Sequence, residues 1–459
     1  MGKFYWGNSV SSMQTEGGWN QDGKSLSVYD VIKADPDLSD WKVANDNYNN
    51  YVEDFNLMQD LGMNMYRFQI SWSRCIKDGS GEINEAAISY YDKFIDDLIS
   101  HNIEPMICLY HFDMPWHLAA EYNGFIHKDV LAAFIRFGKI IIDRFAHKVK
   151  YWLTFNEQNH FHSEETFNIS GYLEGGQTDQ ELYQIAHNIM VGHATLCNYL
   201  HNHFPDAKIG GMLAYQEVYP ATSNPIDIRY AREIDEIMNY TLLDCYAHGD
   251  FSVFMKNLLK TNKIDICVCS GEMEEIKKQR NDYIAFSYYA STTIDSSLVP
   301  ENIIPNRYLE YGKKDNSYLT ANEWGWQIDP EGFRDVLNKI YQRYQIPVFP
   351  VENGIGAREL LDNNFSVEDD YRIDYHKRHL KTMFDAIKYD GVEILGYLGW
   401  GMIDILSSKG DMEKRYGLIY VNRENHDLKD MKRYQKKSYT WFKEFLASAN
   451  KSRYVDYQE

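Results

Sequence analysis

Two glutamates are the residues of this sequence that could most directly do chemistry. Glu157 lies in LTFNEQN and Glu352 in FPVENG, and each directly follows a short apolar run. Taken singly, a glutamate is usually a solvated or ion-paired surface residue. Two carboxyl groups that face each other can cleave a glycosidic bond: one protonates the leaving oxygen, and the other attacks the anomeric carbon or activates water. The position of both glutamates after apolar runs favours this catalytic interpretation.

The two glutamates belong to a chain in which short apolar runs alternate with amphipathic segments. Runs of this length, bounded by turn residues, predict buried strands. Eight strands are predicted, over residues 4–10, 65–70, 104–111, 149–155, 208–213, 283–288, 348–351 and 395–400.

Helices are predicted in the segments between the strands. Apolar residues recur at helical spacing from Tyr51 to Leu61, and Gly62 follows as a C-terminal cap. Asn84 is suited to begin a second helix as its N-cap. Further helices are predicted over residues 128–145, 180–203, 332–344, 371–389 and 437–447.

This alternation predicts the fold class. Eight strands with helices between them indicate an α/β protein, a (β/α)8 TIM barrel that forms a single domain over residues 1–459. No GxGxxG motif follows a strand, which argues against a dinucleotide-binding open sheet. Functional side chains of such barrels lie at the carboxyl ends of the strands. Polar, titratable or aromatic residues end nearly every predicted strand, so this end of the barrel should hold the site.

The composition restricts the partners. The formal net charge is −20, which argues against nucleic acid and anionic membrane surfaces. There is no apolar run of about 18 residues, so no membrane span is predicted. The six cysteines are scattered and lack metal-site spacing, so we expect free thiols in a reducing cytoplasm and no metal. The sequence leaves a homo-oligomer open.

Several residues near the predicted strand ends could assist a pair of glutamates. Arg67 could hold a nearby carboxylate ionised, although it could equally form an interior salt bridge. Tyr288 could hydrogen-bond the same carboxylate, although a buried tyrosine more often simply packs. His111 could donate to a sugar hydroxyl, and Asn156 could bind the 2-hydroxyl, a contact that strengthens in the transition state.

Six stretches in order along nearly the whole chain resemble motifs of glycoside hydrolase family 1, the β-glucosidase family: WGNSVSSMQTEG, MYRFQISWSR, HFDMPWHL, LTFNEQN, FSYY and VENG. The resemblance implies a retaining enzyme with Glu352 as nucleophile and Glu157 as general acid/base. It implies that Arg67 and Tyr288 position and tune Glu352, and it implies no metal or organic cofactor. It further implies a set of sugar-binding residues: Gln14, His111, Asn156 and Trp400 around the sugar, and Trp326 on the aglycone side.

The chain departs from the family pattern at two places. Phe112 stands where many members carry tryptophan. After the eighth strand the family typically reads W-S-L-x-D-N-F-E-W, whose final Glu and Trp bind the 4- and 6-hydroxyls of the sugar, whereas this chain reads WGMIDILSS. Ser407 therefore replaces the Glu, and Ser408 replaces the Trp. Serine removes a charge that would repel a phosphate on O6, while Lys414 and Tyr416 add donors that could hold it.

The Ser, Lys, Tyr pattern resembles the 6-phospho-β-glycosidase branch, although the stretch read alone is an ordinary surface turn. The resemblance implies a cytoplasmic 6-phospho-β-glucosidase acting on a small-molecule phosphorylated glycoside. Ser408 favours glucosides, because galactose-type members tend to carry tryptophan there. Three alternatives stay open: a 6-phospho-β-galactosidase or dual-specificity enzyme, a β-glucosidase for neutral sugars, and a non-catalytic sugar-phosphate sensor. Charge on Glu352 is expected to hold up the pKa of Glu157.

Overall fold

The computed structural model describes residues 3–449. All eight predicted strands are present, and each lies within about two residues of its predicted bounds. We number them in chain order: β1 Tyr5–Ser9, β2 Met65–Gln69, β3 Glu104–Tyr110, β4 Tyr151–Phe155, β5 Lys208–Ala214, β6 Tyr283–Tyr288, β7 Val348–Asn353 and β8 Gly396–Trp400.

The eight strands form one parallel sheet that closes on itself. Its order is β7-β6-β5-β4-β3-β2-β1-β8, and every paired neighbour in it is parallel. The two ends of this order meet where Val348 of β7 bridges to Ile394, and the Leu395 amide donates to the Val348 carbonyl at 3.0 Å. The predicted (β/α)8 barrel is therefore confirmed.

Side chains along each strand alternate between the barrel interior and the surrounding helices. On β6, Tyr283 and Ala285 join the apolar cluster that fills the barrel. Ile284, Phe286 and Tyr288 join the larger core between strands and helices. This alternation decides which residue beyond the end of β6 can reach the site.

Eight long or central helices accompany the strands, and we number them α1 to α8. Their apolar faces pack on the outside of the barrel, as the 3.6-residue periodicity predicts. They are α1 Asn47–Leu61, α2 Glu85–Ser100, α3 Lys128–Phe145, α4 Asp179–His203, α5 Thr241–His248, α6 Pro330–Tyr344, α7 Asp370–Asp390 and α8 Lys437–Ala449. Further α-helices in the connecting segments are Ser12–Thr15, Val28–Val31, Trp72–Cys75, Trp116–Tyr122, Thr166–Ile169, Pro225–Asp235, Val253–Thr261, Glu272–Lys278 and Tyr308–Gly312, with a π-helical turn at Glu236–Tyr240.

The helix ends follow the residues that were expected to set them. Gly62 ends α1 in the left-handed conformation at φ 87°, which a residue without a Cβ adopts at little cost. Asn84 does begin α2, but its side chain does not cap the helix. It donates instead to the carbonyls of Asp22 and Arg74, at 2.7 and 3.0 Å, and so ties the loop after β1 to the loop after β2.

Small sheets and single turns build the loops at the carboxyl end of the barrel. The loop containing Lys414 follows β8 and leads into an antiparallel pair of short strands, and a short hairpin after β6 presents Trp326. Strands outside the barrel are Val218–Pro220, Thr292–Ile294, Lys313–Lys314, Thr320–Ala321, Gln327–Ile328, Ile419–Val421 and Arg433–Gln435. Single 3-10 turns are Lys77–Gly79, Gly124–Ile126, Gln158–His162, Ser296–Leu298 and Pro305–Arg307.

Three further predictions concern the chain as a whole. The predicted domain, residues 1–459, includes residues 1–2 and 450–459, which lie outside the described part. Within residues 3–449 no helix is long and apolar enough to cross a membrane. All six cysteines are free, four of them buried, and Cys267 and Cys269 exposed.

Candidate active site

Glu352 lies near the end of β7, at an irregularity in the strand. The pairing of β7 with β6 shifts register between Pro350 and Glu352, so that Val351 and Glu352 both turn toward the interior side. A bulge of this kind re-aims a side chain that strict alternation would direct outward. Glu352 is consequently only 2% exposed, at the mouth of the barrel.

Two donors hold the Glu352 carboxylate. The Arg67 guanidinium, from β2, binds Oε1 in an ion pair whose members are both buried. The Tyr289 hydroxyl donates to Oε2 at 2.8 Å. Burial raises the pKa of Glu352 to about 7, and the charge of Glu157 acts in the same direction, whereas Arg67 and Tyr289 stabilise the ionised form. The arrangement fits an oriented nucleophile that becomes ionised as the pH rises through about 7.

The tyrosine on Glu352 is not the one predicted from the sequence. Tyr288 was expected to hydrogen-bond this carboxylate, but its hydroxyl donates to the Asp329 carbonyl at 2.8 Å, and its ring packs on Phe333 of α6. The reason is the alternation along β6, which directs Tyr288 outward and the next residue, Tyr289, inward. The prediction for Tyr288 was wrong by one residue, and Tyr289 takes the expected position.

Glu157 follows β4 in a backbone conformation that is uncommon for its type. Its φ and ψ are 42° and 56°, in the left-handed region, where a residue with a Cβ is strained. Its two carboxylate oxygens have different partners: the Ser287 hydroxyl donates to Oε1 at 2.5 Å, and His160 Nε2 lies 3.1 Å from Oε2. Such strain is sustained only where surrounding contacts fix the residue, as they do here.

The surroundings of Glu157 also set its charge differently from the expectation. Burial alone would raise the pKa of Glu157, but the contacts with His160 and Ser287 and the charge of Arg67 outweigh burial and lower it. The pKa of His160 is raised, because the Glu157 contact and the charges of Glu165 and Glu352 outweigh its burial. The expectation that charge on Glu352 holds up the pKa of Glu157 is therefore wrong for the free enzyme, since it overlooked His160.

Unused hydrogen-bonding groups surround the two glutamates. Asn156 Oδ1 accepts from Arg67 Nη2 at 2.6 Å, while Asn156 Nδ2 is buried without a partner. His111 Nδ1 is likewise buried and unpartnered. Burial and the nearby Arg67 charge hold the pKa of His111 well below its ordinary value, so its imidazole is neutral. Buried donors without partners are costly unless a ligand supplies an acceptor.

Gln14 and Trp400 border the same space from β1 and β8. Gln14 Nε2 donates to the Leu406 carbonyl at 2.8 Å, next to Ser407, and its Oε1 accepts from Ser11. The Trp400 ring is 6% exposed and lies 5.6 Å from the ring of His111. The strand ends thus bring Gln14, His111, Asn156 and Trp400 to the mouth of the barrel together with both glutamates.

Ser407 begins a tight turn in the loop after β8. Its Oγ accepts from the Asp411 amide at 3.0 Å, and its carbonyl accepts from the Gly410 amide at 2.9 Å. The turn requires glycine at 410, where φ is 87° and a Cβ would meet the Ser39 carbonyl. Ser407 is 5% exposed, and its hydroxyl proton has no acceptor among the described residues. Ser408 is exposed.

Lys414 is a cation whose neighbours are aromatic rings. Its Nζ lies 3.7 Å from the ring centre of Trp326, 5.0 Å from that of Trp324 and 5.7 Å from that of Tyr416. The residue is 8% exposed, and within residues 3–449 no carboxylate pairs with it. Burial lowers the pKa of Lys414 to about 8, and the charge of Asp411 only partly offsets this effect. Trp326, expected on the aglycone side, thus lies against both Lys414 and the ring of Tyr289.

A buried ionic network fixes the loop that contains Lys414 and Tyr416. The Arg372 guanidinium, from α7, donates to the Tyr416 carbonyl at 2.8 Å, and Asp404 Oδ1 accepts from the Gly417 amide at 2.8 Å. Positive and negative charges balance, which is what allows so many ions to be buried together. Its six members have side chains at most 2% exposed: Glu359, Asp369, Arg372, Asp404, Arg415 and Lys436.

Four residues of the site were not singled out from the sequence. Tyr289 could have been found by continuing the alternation of β6, in which 283, 285, 287 and 289 share a face. The same alternation points to Ser287. For His160 the sequence offered only a weaker indication, namely its position three residues after Glu157. For Trp324 it offered no indication except that Trp326 lies two residues away.

The described residues, 3–449, contain no group of three or more His, Cys, Asp or Glu side chains arranged to hold a metal ion. The chemistry at the mouth of the barrel is that of two carboxyl groups on facing strands. One carboxylate is buried and held by an arginine and a tyrosine, and the other has a histidine 3.1 Å from one of its oxygens. This arrangement defines a glycosidase of the two-carboxylate type.

Comparison with known proteins agrees with this class. The profile of Glycosyl hydrolase family 1 matches residues 1–451, and the chain belongs to that family. It is 38% identical over 467 residues to the aryl-phospho-β-D-glucosidase BglA of Bacillus subtilis, covering 96% of this chain and 97% of that protein. It is 37% identical over 465 residues to a 6-phospho-β-glucosidase of Clostridium longisporum, covering 98% and 97%. The structure of a family 1 β-glucosidase from Thermotoga maritima matches with a TM-score of 0.85 at 26% identity over 97% of each chain.

Proposed function

We propose that this protein is a cytoplasmic retaining 6-phospho-β-glucosidase, which hydrolyses disaccharide or aryl glucoside 6-phosphates to glucose 6-phosphate and the aglycone. One observation carries the proposal most directly: Lys414 is a largely buried cation without a carboxylate partner in the described structure. It lies in the same loop as Ser407, where the family's carboxylate is missing. A buried charge without a counterion is costly. A dianionic phosphate on O6 would supply that counterion.

The proposed reaction has two displacements. Glu352 attacks the anomeric carbon as the bond to the leaving oxygen breaks, and Glu157 gives its proton to that oxygen. Water then attacks the glycosyl–Glu352 ester and gives its proton to Glu157, which restores both carboxyl groups. Asn156 Nδ2, which is free to donate, is suited to the sugar 2-hydroxyl, and neutral His111 to a neighbouring hydroxyl.

The phosphate would be held by groups of different kinds. Lys414 and Tyr416 lie side by side, and neither donates to another described residue. Ser407 keeps its hydroxyl proton free to donate. Charge-assisted hydrogen bonds of this kind are stronger than neutral ones. The net charge of −20 gives no long-range attraction for an anion, so these local donors must supply the affinity.

Ser408 supports a preference for glucosides over galactosides, because it is small and exposed. The Bacillus subtilis and Clostridium longisporum relatives act, by their names, on phosphorylated β-glucosides. The free cysteines fit a reducing compartment, where a phosphorylating uptake system would deliver such substrates.

The test compares nitrophenyl β-glucoside, its 6-phosphate and the galacto 6-phosphate side by side. We expect the glucoside 6-phosphate to have the highest kcat/KM. Lys414→Ala should raise the KM for the phosphorylated substrate and leave any turnover of the neutral one unchanged, and Lys409→Ala, an exposed lysine of the same loop, is the matched control. Faster turnover of the neutral glucoside by the unaltered enzyme would refute the proposal.

A further inference from the structure

His160 is a residue of the site to which the two-glutamate mechanism assigns no role. It lies on the 3-10 turn Gln158–His162, three residues beyond Glu157. Its Nε2 is 3.1 Å from Glu157 Oε2, and its side chain is 32% exposed. The ring is therefore more open to solvent than the Glu157 side chain, which is 14% exposed.

The contact engages the oxygen of Glu157 that Ser287 leaves free. With the Ser287 hydroxyl on Oε1, Oε2 has His160 as its only partner among the described residues. An imidazole in this position can hold the proton that the acid/base carboxyl group needs, or return it, with little movement of either side chain. The two groups therefore form one titrating unit.

We propose that His160 is a positioning residue that shares a single proton with Glu157, so that the pair retains the catalytic proton to a higher pH than Glu157 alone. This inference rests on the proposed function. In the first displacement the shared proton passes from Glu157 to the leaving oxygen, and the pair is left with a carboxylate beside a neutral imidazole. In the second, water gives a proton to Glu157 and restores the pair.

The charges around His160 favour this sharing. Glu157 faces it from the end of β4, Glu165 from the start of the helix Thr166–Ile169, and Glu352 from β7, and all three stabilise an imidazolium. Arg67 also acts on Glu157 as a cation, but it is already bound to Glu352 and Asn156. For two coupled groups, the last proton leaves with an apparent pKa at least as high as that of either group alone.

His160→Gln is the informative variant, because glutamine can keep a donor near Oε2 but cannot hold a shared proton. The experiment measures kcat/KM against pH for two 6-phosphorylated β-glucosides, one with an alkyl aglycone and one with a dinitrophenyl aglycone. Departure of the alkyl group requires a proton, whereas departure of the dinitrophenyl group does not. Ionisation of the phosphate and of Lys414 affects both substrates alike. The difference between the two pH profiles of kcat/KM therefore reports on the group that protonates the leaving oxygen.

For the alkyl substrate, the alkaline limb of His160→Gln should lie about one pH unit below that of the unaltered enzyme. For the dinitrophenyl substrate, the two limbs should coincide, which also shows that the variant is folded. His203→Gln, which removes an exposed imidazole at the end of α4, should leave both profiles unchanged.

Coincident alkaline limbs on the alkyl substrate would overturn the role of His160 while leaving the proposed function intact. An equal shift on both substrates would also overturn it, because the effect would then not concern the proton of the leaving group. Absence of turnover by the unaltered enzyme on either substrate would instead overturn the proposed function, and the inference with it.

Discussion

Replacing Tyr289 with phenylalanine tests the site at the position where sequence and structure disagree. The change removes the hydroxyl that donates to Glu352 Oε2 at 2.8 Å and leaves the ring against Trp326. A hydrogen bond to a charged group contributes about 1.5–3 kcal/mol. At about 1.36 kcal/mol for each factor of ten, Tyr289→Phe should lower kcat/KM by roughly 10- to 150-fold.

The pH profile gives a second readout of the same change. Removing a donor from the carboxylate form disfavours ionisation, so the pKa of Glu352 should rise further above its ordinary value. Because the nucleophile must be ionised, the acidic limb of kcat/KM should move to higher pH. Loss of packing alone would leave this limb unmoved.

Tyr288→Phe is the matched control, since it removes a hydroxyl from the adjacent residue. That hydroxyl donates to the neutral Asp329 carbonyl, and its loss should cost about 1 kcal/mol of stability with a change in kcat/KM below about twofold. The assay is hydrolysis of nitrophenyl β-glucoside 6-phosphate by both variants under identical conditions. A larger activity loss in Tyr288→Phe than in Tyr289→Phe would refute the assignment of the inward face to Tyr289.

Three further predictions concern the phosphate loop and the sugar contacts. The pKa of Lys414 is lowered to about 8, so its charge is lost as pH rises through that value. The KM for phosphorylated substrate should therefore increase above about pH 8. In Lys414→Arg this increase should be absent, because arginine keeps its charge. Arg372→Met removes the cation paired with Asp369 and one of the two cations paired with Glu359. It should destabilise the fold by about 3–5 kcal/mol, visible as a lower denaturant midpoint, whereas an unchanged midpoint would contradict the network's role. Asn156→Ala should lower kcat by roughly 100-fold with a smaller change in KM. A raised KM with unchanged kcat in stopped assays would contradict this prediction, because it would show a contact equally strong in the ground state and the transition state.

Most of the barrel could be read from the sequence because its signals are local. Each strand is a short apolar run between turn residues, and each helix has its own amphipathic periodicity, so neither requires knowledge of distant contacts. The placement of Glu157 and Glu352 after such runs was informative for the same reason, since a closed parallel barrel collects its strand ends at one mouth. The helix α3, predicted over residues 128–145, has those bounds in the structure.

The sequence-based interpretation failed where a side chain's direction mattered. Tyr288 and Tyr289 are neighbours of the same type, and only the phase of β6 within the closed barrel decides which of them reaches Glu352. The Glu352 side chain turns inward because of a β-bulge, and no local sequence pattern predicts that bulge. Trp326 was expected to contact the aglycone, but its contact with Lys414 could not be predicted. That contact forms because a hairpin after β6 packs against the loop after β8.

The sequence by itself determined the barrel, the two glutamates at its mouth and the missing carboxylate at Ser407, because these follow from periodicity, residue type and motif order. Only the tertiary structure decided the charges within the site. The pKa directions of Glu157 and Glu352 depend on burial and on which groups lie within hydrogen-bond reach, and those distances arise from strands far apart in sequence. His160 illustrates the difference: its place three residues after Glu157 is visible in the sequence, but the 3.1 Å contact exists only because the strained turn after β4 brings the two side chains together.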